Sequence, residues 1–487
     1  MSDIDSSSTA ASNIGSKVIT SLRWFTVIKI LSQAFSWIIT FYIMSILVEA
    51  DYGLFAMATV VISFMFLVSE LGLSSALMQK KDISIMDQRQ IFGLVLIVGI
   101  VLTTVISLAA PLIAEFYRDE RLTALITVLG AQFLLIPFYV VPKASLERNL
   151  NFKTRSIIEL ISSIISSFTT LLCATYGLGV WALILGHMTT IICHLIGYCY
   201  ANPFRHLPSF NFKGVSSMLS FGGYTMGSRW LWFFSSNADM IIAGRLLAID
   251  TVGLYKFATH IASLPAQKIS PIINQIAFPA FARMQDDREQ VASHYLKAVG
   301  LLSLISFPIL WGLASIADFI PNYLGEHWRG AIPALRVLCF ILPLRMLNGL
   351  TPSITGALGH PEKDFKNQVW LFVIMVSAYY IGCETGGLMG LVYAWAIGFP
   401  LVVGRNLFYT LPIIGLSLSD LLKQMSIPLI LATVMMLSIF AIQYIFSHIN
   451  QHILFAISII SGIVIYTALT IFFNKEMGKM MLKFVKK

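Results

Sequence analysis

Charged side chains inside long apolar runs are the residues of this sequence that could do chemistry. Lys29 and Arg229 stand 200 positions apart, each well inside such a run. An ionisable group at the centre of a bilayer costs about 2.5–3.5 kcal/mol on insertion scales, so it usually pairs or serves a function. Both cations suit an anionic ligand, and the guanidinium can also bind two phosphate oxygens at once. We expect both to line a cationic cavity; the alternatives are a structural ion pair or a side chain that snorkels.

Four further cations lie within apolar runs: Lys256, Lys268, Arg336 and Arg345. Lys268 stands between two prolines, which should break a helix and open a cavity wall. We therefore add Lys268 and Arg345 as candidate ligands of the cationic cavity. Lys256 and Arg336 are close to helix ends, where snorkelling to the membrane surface is the simpler explanation.

An acidic residue with a neighbouring amide follows Arg229 on the same run. Asp239 is two residues after Asn237 and about two and a half helical turns after Arg229. Hard cations prefer oxygen ligands, so a carboxylate beside an amide oxygen predicts a site for Na⁺ or H⁺. The alternative is a structural ion pair between Asp239 and Arg245. No cofactor other than such a coupling ion is expected.

The composition shows what must position these residues. Of the 487 residues, 57% are hydrophobic and 12% are charged, whereas a soluble chain has about 25% charged residues. A bilayer core of about 30 Å needs about 20 helical residues, and fourteen apolar runs approach or exceed that length. They lie near 20–47, 53–78, 91–114, 122–142, 156–176, 179–200, 216–247, 252–281, 295–320, 331–357, 366–383, 387–411, 420–446 and 452–473. The predicted fold class is an all-α integral membrane protein with about fourteen transmembrane helices.

Charge asymmetry orients these helices. With the N-terminus inside and alternating spans, 23 Lys and Arg residues fall in cytoplasmic segments and 4 fall outside. This positive-inside pattern predicts that both termini are cytoplasmic. The same distribution explains the net charge of +9 and argues against nucleic-acid binding, because the basic residues lie in short loops rather than on one face.

Three short matches predict an internal repeat. Residues 51–58 resemble 251–258, residues 177–182 resemble 387–392, and Phe152-Lys153 resembles Phe365-Lys366. Six helices per half give both halves the same orientation, as in transporters whose repeats are parallel and whose substrate binds between them. The predicted organisation is a tail (1–17), an N-lobe (18–204), a C-lobe (205–413), two extra helices (414–474) and a basic tail (475–487).

Several stretches of the sequence form a recognisable pattern: Asp51-Tyr52-Gly53-Leu54, residues 70–79, 109–117, 146–153 and 179–183, and Gly253-Leu254-Tyr255. This pattern resembles the Wzx-type polysaccharide and lipopolysaccharide flippases of the multidrug/oligosaccharidyl-lipid/polysaccharide superfamily, in the branch of the colanic-acid exporters. It covers most of residues 18–400, whereas the last two helices match only as apolar spans.

The resemblance implies a V-shaped fold of two six-helix lobes. It also implies a cargo of oligosaccharide units on undecaprenyl pyrophosphate, turned over in the bacterial inner membrane by alternating access with an ion gradient. Membrane lipids, a polysaccharide polymerase and chain-length machinery are the expected partners. The aromatic residues after Arg229, Trp232 among them, suit either stacking on sugars or, more simply, packing and interface belts.

Two other function classes compete with a flippase. A drug or cation antiporter of the same superfamily would have a smaller and less cationic cavity. A polysaccharide polymerase or ligase usually carries a long outer loop with catalytic Arg or His residues, and no loop here is that long. The sequence has no Walker A loop, HExxH or GxSxG motif, so we do not expect an enzyme.

Overall fold

The computed structural model describes residues 36–69, 84–149, 151–211 and 216–473, with backbone alone from 216 to 228. Within these ranges every regular element is a helix, which confirms the all-α prediction. The chain divides into two compact units, Met1–Trp230 and Leu231–Lys487. The division falls inside one helix, so the lobe and tail boundaries given above stay predictions.

The first unit contains seven described helices and the start of an eighth. The helices are α1 (36–44), α2 (Glu49–Ser69), α3 (Ile85–Tyr117), α4 (Arg121–Gly130), α5 (Gln132–Arg148), α6 (Phe152–Thr175), α7 (Val180–Ala201) and α8 (Ser216–Leu246). Ala131 alone separates α4 from α5, so these two helices form one broken span.

The second unit contains the rest of α8 and eight further described α-helices. The helices are α9 (Ile249–Arg283), α10 (Arg288–Ser315), α11 (Ile320–Leu324), α12 (Ile332–Asn348), α13 (Thr351–Ala357), α14 (Pro361–Thr410), α15 (Leu418–Ile445) and α16 (Gln451–Phe473). Helix α14 contains a residue with non-helical angles, Gly387. It is therefore two helices joined at a kink, as predicted from the apolar runs 366–383 and 387–411.

Ten helical segments of the described chain are long and apolar enough to cross a membrane. One of them, Glu362–Ile414, spans both arms of α14. A total of fourteen would also require α1, α8 and α9, which are not among the ten. The multi-pass membrane character is thus confirmed, and the count of fourteen stays a prediction.

Two local features of the backbone agree with the predicted repeat. Helices α2 and α9 begin at Glu49 and Ile249, 200 positions apart, as the match between 51–58 and 251–258 predicts. Gly179 before α7 has φ 54° and ψ −131°, and Gly387 within α14 has φ 56° and ψ −132°. L-residues rarely adopt a positive φ, which explains why both positions are glycine. Each unit thus contains a glycine turn with nearly the same dihedral angles.

Two of the sequence matches are out of register with this geometry. The matched segments pair Gly177 with Gly387, whereas the equivalent turn residue is Gly179. Phe152 is the first residue of α6, whereas Phe365 is the fifth residue of α14. The turn geometry therefore pairs Gly179, rather than Gly177, with Gly387, and the repeat itself stays a prediction.

The final helix pair packs within the second unit on α10. The Gln443 side chain donates to the carbonyl oxygen of Ser315 at 3.0 Å, and the Tyr466 hydroxyl donates to that of Leu304 at 3.0 Å. Isolated polar groups are expensive in an apolar setting. These bonds therefore fix α15 and α16 to α10 rather than leaving them as loosely held extra spans.

Candidate functional site

A chain of buried polar groups connects three helices of the second unit. The Tyr255 hydroxyl on α9 donates to Asp239 Oδ2 at 2.6 Å and accepts a bond from Trp395 Nε1 on α14 at 2.9 Å. The other carboxylate oxygen, Oδ1, accepts the backbone N–H of Met240 at 2.8 Å. Tyr255 is fully buried. Asp239 is thus a satisfied acceptor inside the unit, and one hydroxyl connects it to Trp395.

The chain continues from Trp395 to a cation. The guanidinium carbon of Arg345 on α12 lies 5.2 Å from the centre of the Trp395 ring, within the range of a cation–π interaction. The Tyr379 and Phe399 rings flank the same indole at 5.7 and 5.5 Å. Arg345 also attracts the Asp239 carboxylate, as does Lys256 on α9. The structure therefore brings two predicted site residues, Asp239 and Arg345, into one network.

Arg345 and Trp395 border a cavity of about 280 Å³ within the second unit. Its wall is unusual for an apolar bundle because it combines aromatic rings, amides, hydroxyls and one guanidinium, with no carboxylate among the lining residues. The lining residues are Trp232, Ser235, Ser236, Arg345, Asn348, Gly349, Pro352, Gln368, Leu371, Met375, Tyr379, Trp395 and Phe399. This composition suits a neutral or anionic polar ligand better than a cation.

The first unit has an ionic cluster where α5 meets α6. Arg155 pairs with Glu147 at 2.9 Å and with Glu159 at 2.8 Å. All three side chains are at least partly buried, with Glu147 at 14% exposure. A guanidinium between two carboxylates satisfies both, and it fixes the corner between the two helices. Glu147 belongs to the segment 146–153 on which the family resemblance rests, so that segment has a structural role.

A second cavity, of about 260 Å³, opens next to this cluster in the first unit. It is largely apolar and is bordered by Phe133, Ile136 and Tyr139, with Lys143 and Glu147 at one end. Such a cavity suits an apolar group with a polar terminus. It contains none of the site residues predicted from the sequence.

The other predicted site residues have different environments. Lys29 lies outside the described residues. Arg229 on α8 and Lys268 on α9 are exposed, as is Arg345, but Arg229 and Lys268 do not line the cavity of the second unit. The amide of Asn237 donates to the Phe233 carbonyl at 2.9 Å, and residues two apart on a helix do not face each other. Whether Asn237 contributes with Asp239 to an ion site, and whether the four cations share one cavity, stay predictions.

Sequence reasoning missed Tyr255, Trp395 and the half-buried Lys256. Tyr255 belongs to the Gly253-Leu254-Tyr255 string, so the resemblance marked its position without giving it a role. Trp395 is 140 residues from Tyr255, and only tertiary packing brings them together. Lys256 was expected to snorkel, whereas it lies within the electrostatic reach of Asp239.

The fold defines the class of protein. The chain superposes on the structure "Lipid II flippase MurJ, inward closed conformation" with a TM-score of 0.71 at 15% identity, covering 93% of this chain and 99% of that one. It also superposes on an inward-facing MATE family multidrug resistance transporter of the MOP superfamily, with a TM-score of 0.59 at 19% identity, covering 79% and 96%. The chain therefore shares its fold with these two membrane transporters.

Comparison of the sequence with known families and proteins identifies the family of the chain. Residues 43–333 match the family described as polysaccharide biosynthesis protein, and the chain belongs to that family. It is 28% identical over 426 residues to the teichuronic acid biosynthesis protein TuaB of Bacillus subtilis, covering 84% of this chain and 86% of TuaB. It is 26% identical over 428 residues to the lipopolysaccharide biosynthesis protein WzxC of Escherichia coli, covering 85% of each. The resemblance to the Wzx-type family is thereby confirmed.

Proposed function

We propose that this protein flips lipid-linked oligosaccharide units across the bacterial inner membrane for the synthesis of a cell-surface polysaccharide. One observation carries the proposal: a chain whose relatives are polysaccharide biosynthesis proteins over 85% of its length has the fold of a lipid II flippase. A sugar headgroup must cross about 30 Å of hydrocarbon, which requires a polar path enclosed by helices.

The expected mechanism is alternating access by two lobes around the cargo headgroup. Undecaprenyl pyrophosphate is the proposed carrier, and its negative charge requires counter-charge once it leaves water. Lys29, Arg229, Lys268 and Arg345 are the proposed contacts. Several dispersed cations suit transport better than one tight site, because each contact can break separately as the lobes move.

Asp239 is the proposed coupling residue, with Asn237 as a second candidate ligand for Na⁺ or H⁺. Its carboxylate is bonded to Tyr255 and experiences the charges of Arg345 and Lys256. Binding of a cation or proton there would weaken the attraction between Asp239 and Arg345. Ion binding at Asp239 would in this way alter the contact between Arg345 and the cargo.

The proposed setting is the inner membrane with both termini in the cytoplasm. The expected partners are the lipid-linked oligosaccharide, the surrounding lipids and, downstream, a polysaccharide polymerase with its chain-length machinery. We propose no enzymatic step and no cofactor beyond the coupling ion.

A multidrug or cation antiporter is the second candidate, favoured by the superposition on a MATE transporter. The cavity of the second unit supports the flippase instead. The charge of Arg345 on this wall would repel a cationic drug, and no carboxylate among the lining residues offsets that charge.

Complementation tests the proposal. In a strain lacking the native gene, the wild-type chain should restore surface polysaccharide and prevent lipid-linked units from accumulating on the cytoplasmic face. Arg229→Ala should reduce export severely and Arg229→Lys should restore it only in part, because an ammonium cannot bind phosphate bidentately. Lys29→Ala should have a milder effect.

The control is the amount of each variant in the membrane. Full export by the Lys29→Ala, Arg229→Ala double variant would contradict the cationic-cavity mechanism. Restoration of drug resistance without restoration of polysaccharide would favour the antiporter.

A further inference from the structure

The cavity of the second unit presents a defined pattern of hydrogen-bonding groups. Arg345 can only donate, whereas the amides of Asn348 and Gln368 can both donate and accept. The side-chain oxygen of Asn348 is buried at this wall and has no hydrogen-bond partner. A buried acceptor without a partner costs about 1–3 kcal/mol, so a ligand that donates to it would recover that loss.

This pattern distinguishes between the polar parts of a lipid-linked oligosaccharide. A pyrophosphate offers acceptors, which would satisfy Arg345 and leave the Asn348 oxygen without a donor. A sugar hydroxyl both donates and accepts, so one ring can satisfy a guanidinium and an amide oxygen together. The terminal torsion of Asn348 is soft, and a small rotation would turn its oxygen toward a ligand.

The aromatic residues and the size of the cavity agree with a sugar. Trp232 borders the cavity with 57% of its surface exposed, and its indole ring is a flat apolar surface beside polar groups. The volume of about 280 Å³ is close to the lower end of ligand pockets, about 300 Å³. That space is suited to a single pyranose ring rather than a chain of several.

We propose that this cavity is a saccharide subsite that binds one neutral sugar ring between Trp232, Asn348, Gln368 and Arg345. The proposal rests on the proposed function, because it assigns one part of the same cargo to one place in the protein. Asn348 and Gln368 are its recognition residues, and Arg345 donates to ring hydroxyls rather than serving only as counter-charge for phosphate.

Saturation-transfer NMR on the full-length protein in lipid nanodiscs tests the subsite. The probes are the methyl glycosides of glucose, galactose and N-acetylglucosamine, with inorganic pyrophosphate as competitor. Wild-type protein should transfer saturation to the ring protons of at least one glycoside, and pyrophosphate should displace it at most in part, because Arg345 is only one of the groups that hold the ring. Asn348→Leu should weaken binding about three- to tenfold, the value of one hydrogen bond, and Trp232→Leu should also weaken it.

Trp370→Leu is the matched control. Trp370 is also a half-exposed tryptophan of the second unit, it lies against Arg405 at 4.8 Å, and it does not line the cavity. Its replacement should leave glycoside binding unchanged. Absence of saturation transfer in the wild type, equal loss in all three variants, or complete displacement by pyrophosphate would overturn the proposal. Export by the wild-type chain in the complementation assay separates these failures from a failure of the proposed function.

Discussion

Asp239 and Arg345 are opposite charges that the second unit connects through Tyr255 and Trp395. The hydroxyl of Tyr255 bonds to both of its neighbours, and the Trp395 ring carries the cation on its face. Such networks are stable only when every member is satisfied. The network therefore makes Tyr255 a positioning residue whose removal should affect both ends.

Tyr255→Phe should leave the Asp239 Oδ2 and the Trp395 N–H without their common partner. We expect a stability loss of about 1–3 kcal/mol and a weaker response of transport to an imposed ion gradient. The measurements are thermal unfolding in detergent and gradient-dependent transport in proteoliposomes. Tyr379→Phe is the control, since Tyr379 is equally buried and its ring contacts the same indole. A gradient response as strong in Tyr255→Phe as in the control would rule out the positioning role.

Asp239→Asn tests the charge itself. An asparagine keeps the size of the side chain and can still accept the Tyr255 hydroxyl, so folding should be retained while transport loses its dependence on Na⁺ or pH. The comparison is transport with and without each gradient, at equal protein level. If the variant responds to the gradients as the wild type does, Asp239 is a structural acceptor and the coupling site lies elsewhere.

At the scale of helices, the glycine turns before α7 and within α14 are the local features that agree with the predicted repeat. Gly179 and Gly387 have nearly the same dihedral angles, but their surroundings differ. A Cβ on Gly179 would lie 2.9 Å from Asp51 Oδ1, whereas a Cβ on Gly387 would have nothing within 4 Å. Alanine substitutions at these two glycines therefore distinguish the stability lost to backbone strain from the stability lost to a collision with a side chain.

Gly387→Ala should destabilise the protein by about 1–3 kcal/mol from backbone strain alone. Gly179→Ala should cost more, because the carboxylate of Asp51 must also move. Thermal unfolding of the two purified variants, with Gly404→Ala as a helical control that has open space around it, measures the difference. Equal stability of Gly179→Ala and the wild type would show that this turn is not under the constraint described.

Most of the helical pattern could be predicted from the sequence, because an apolar run of about 20 residues has few alternatives to a membrane helix. The break between α4 and α5 was not predicted, although Gly130 stands directly before it. The sequence match paired Gly177 with Gly387, two residues before the glycine that has the equivalent turn. Composition determines which segments are helical, whereas the dihedral angles of the turn at Gly179 do not follow from composition.

The candidate site was predicted less completely than the helices. Asp239 and Arg345 are rare charges in apolar runs and could be selected for that reason alone. Tyr255, Trp395 and Asn348 are ordinary residues in membrane helices, and their importance comes from contacts between segments that are distant in sequence. Such contacts require the tertiary structure.

At the scale of the whole molecule, the positive-inside pattern predicts the orientation of the protein. Of the basic residues assigned to the outside, Arg121 pairs with Asp119 at 2.7 Å and Arg329 with Glu326 at 2.7 Å. The hydrogen bond from Arg121 holds the pKa of Asp119 below its usual range. These two arginines are thus each neutralised by a local carboxylate, while the prediction itself rests on the count of 23 against 4.

Reporter fusions test the orientation. A fusion at Asn322, between α10 and α12, should report the outside, and a fusion at the C-terminus should report the cytoplasm. The same topology predicts that residues 20–200 and residues 220–410 superpose as two lobes of the same orientation. If both reporters lie on one side of the membrane, the topology of fourteen helices is wrong.

Transbilayer movement of a lipid-linked oligosaccharide by the purified protein tests the central claim most directly. Proteoliposomes would contain a polyprenyl diphosphate that carries a short oligosaccharide, and a membrane-impermeant lectin would report the fraction in the outer leaflet. We predict that the wild-type protein equilibrates the lipid between leaflets far faster than protein-free liposomes do, and that Arg229→Ala is slower. The account would be contradicted if the lipid moved no faster than in protein-free liposomes while the same protein, in the same vesicles, exchanged a cationic dye for Na⁺ or H⁺.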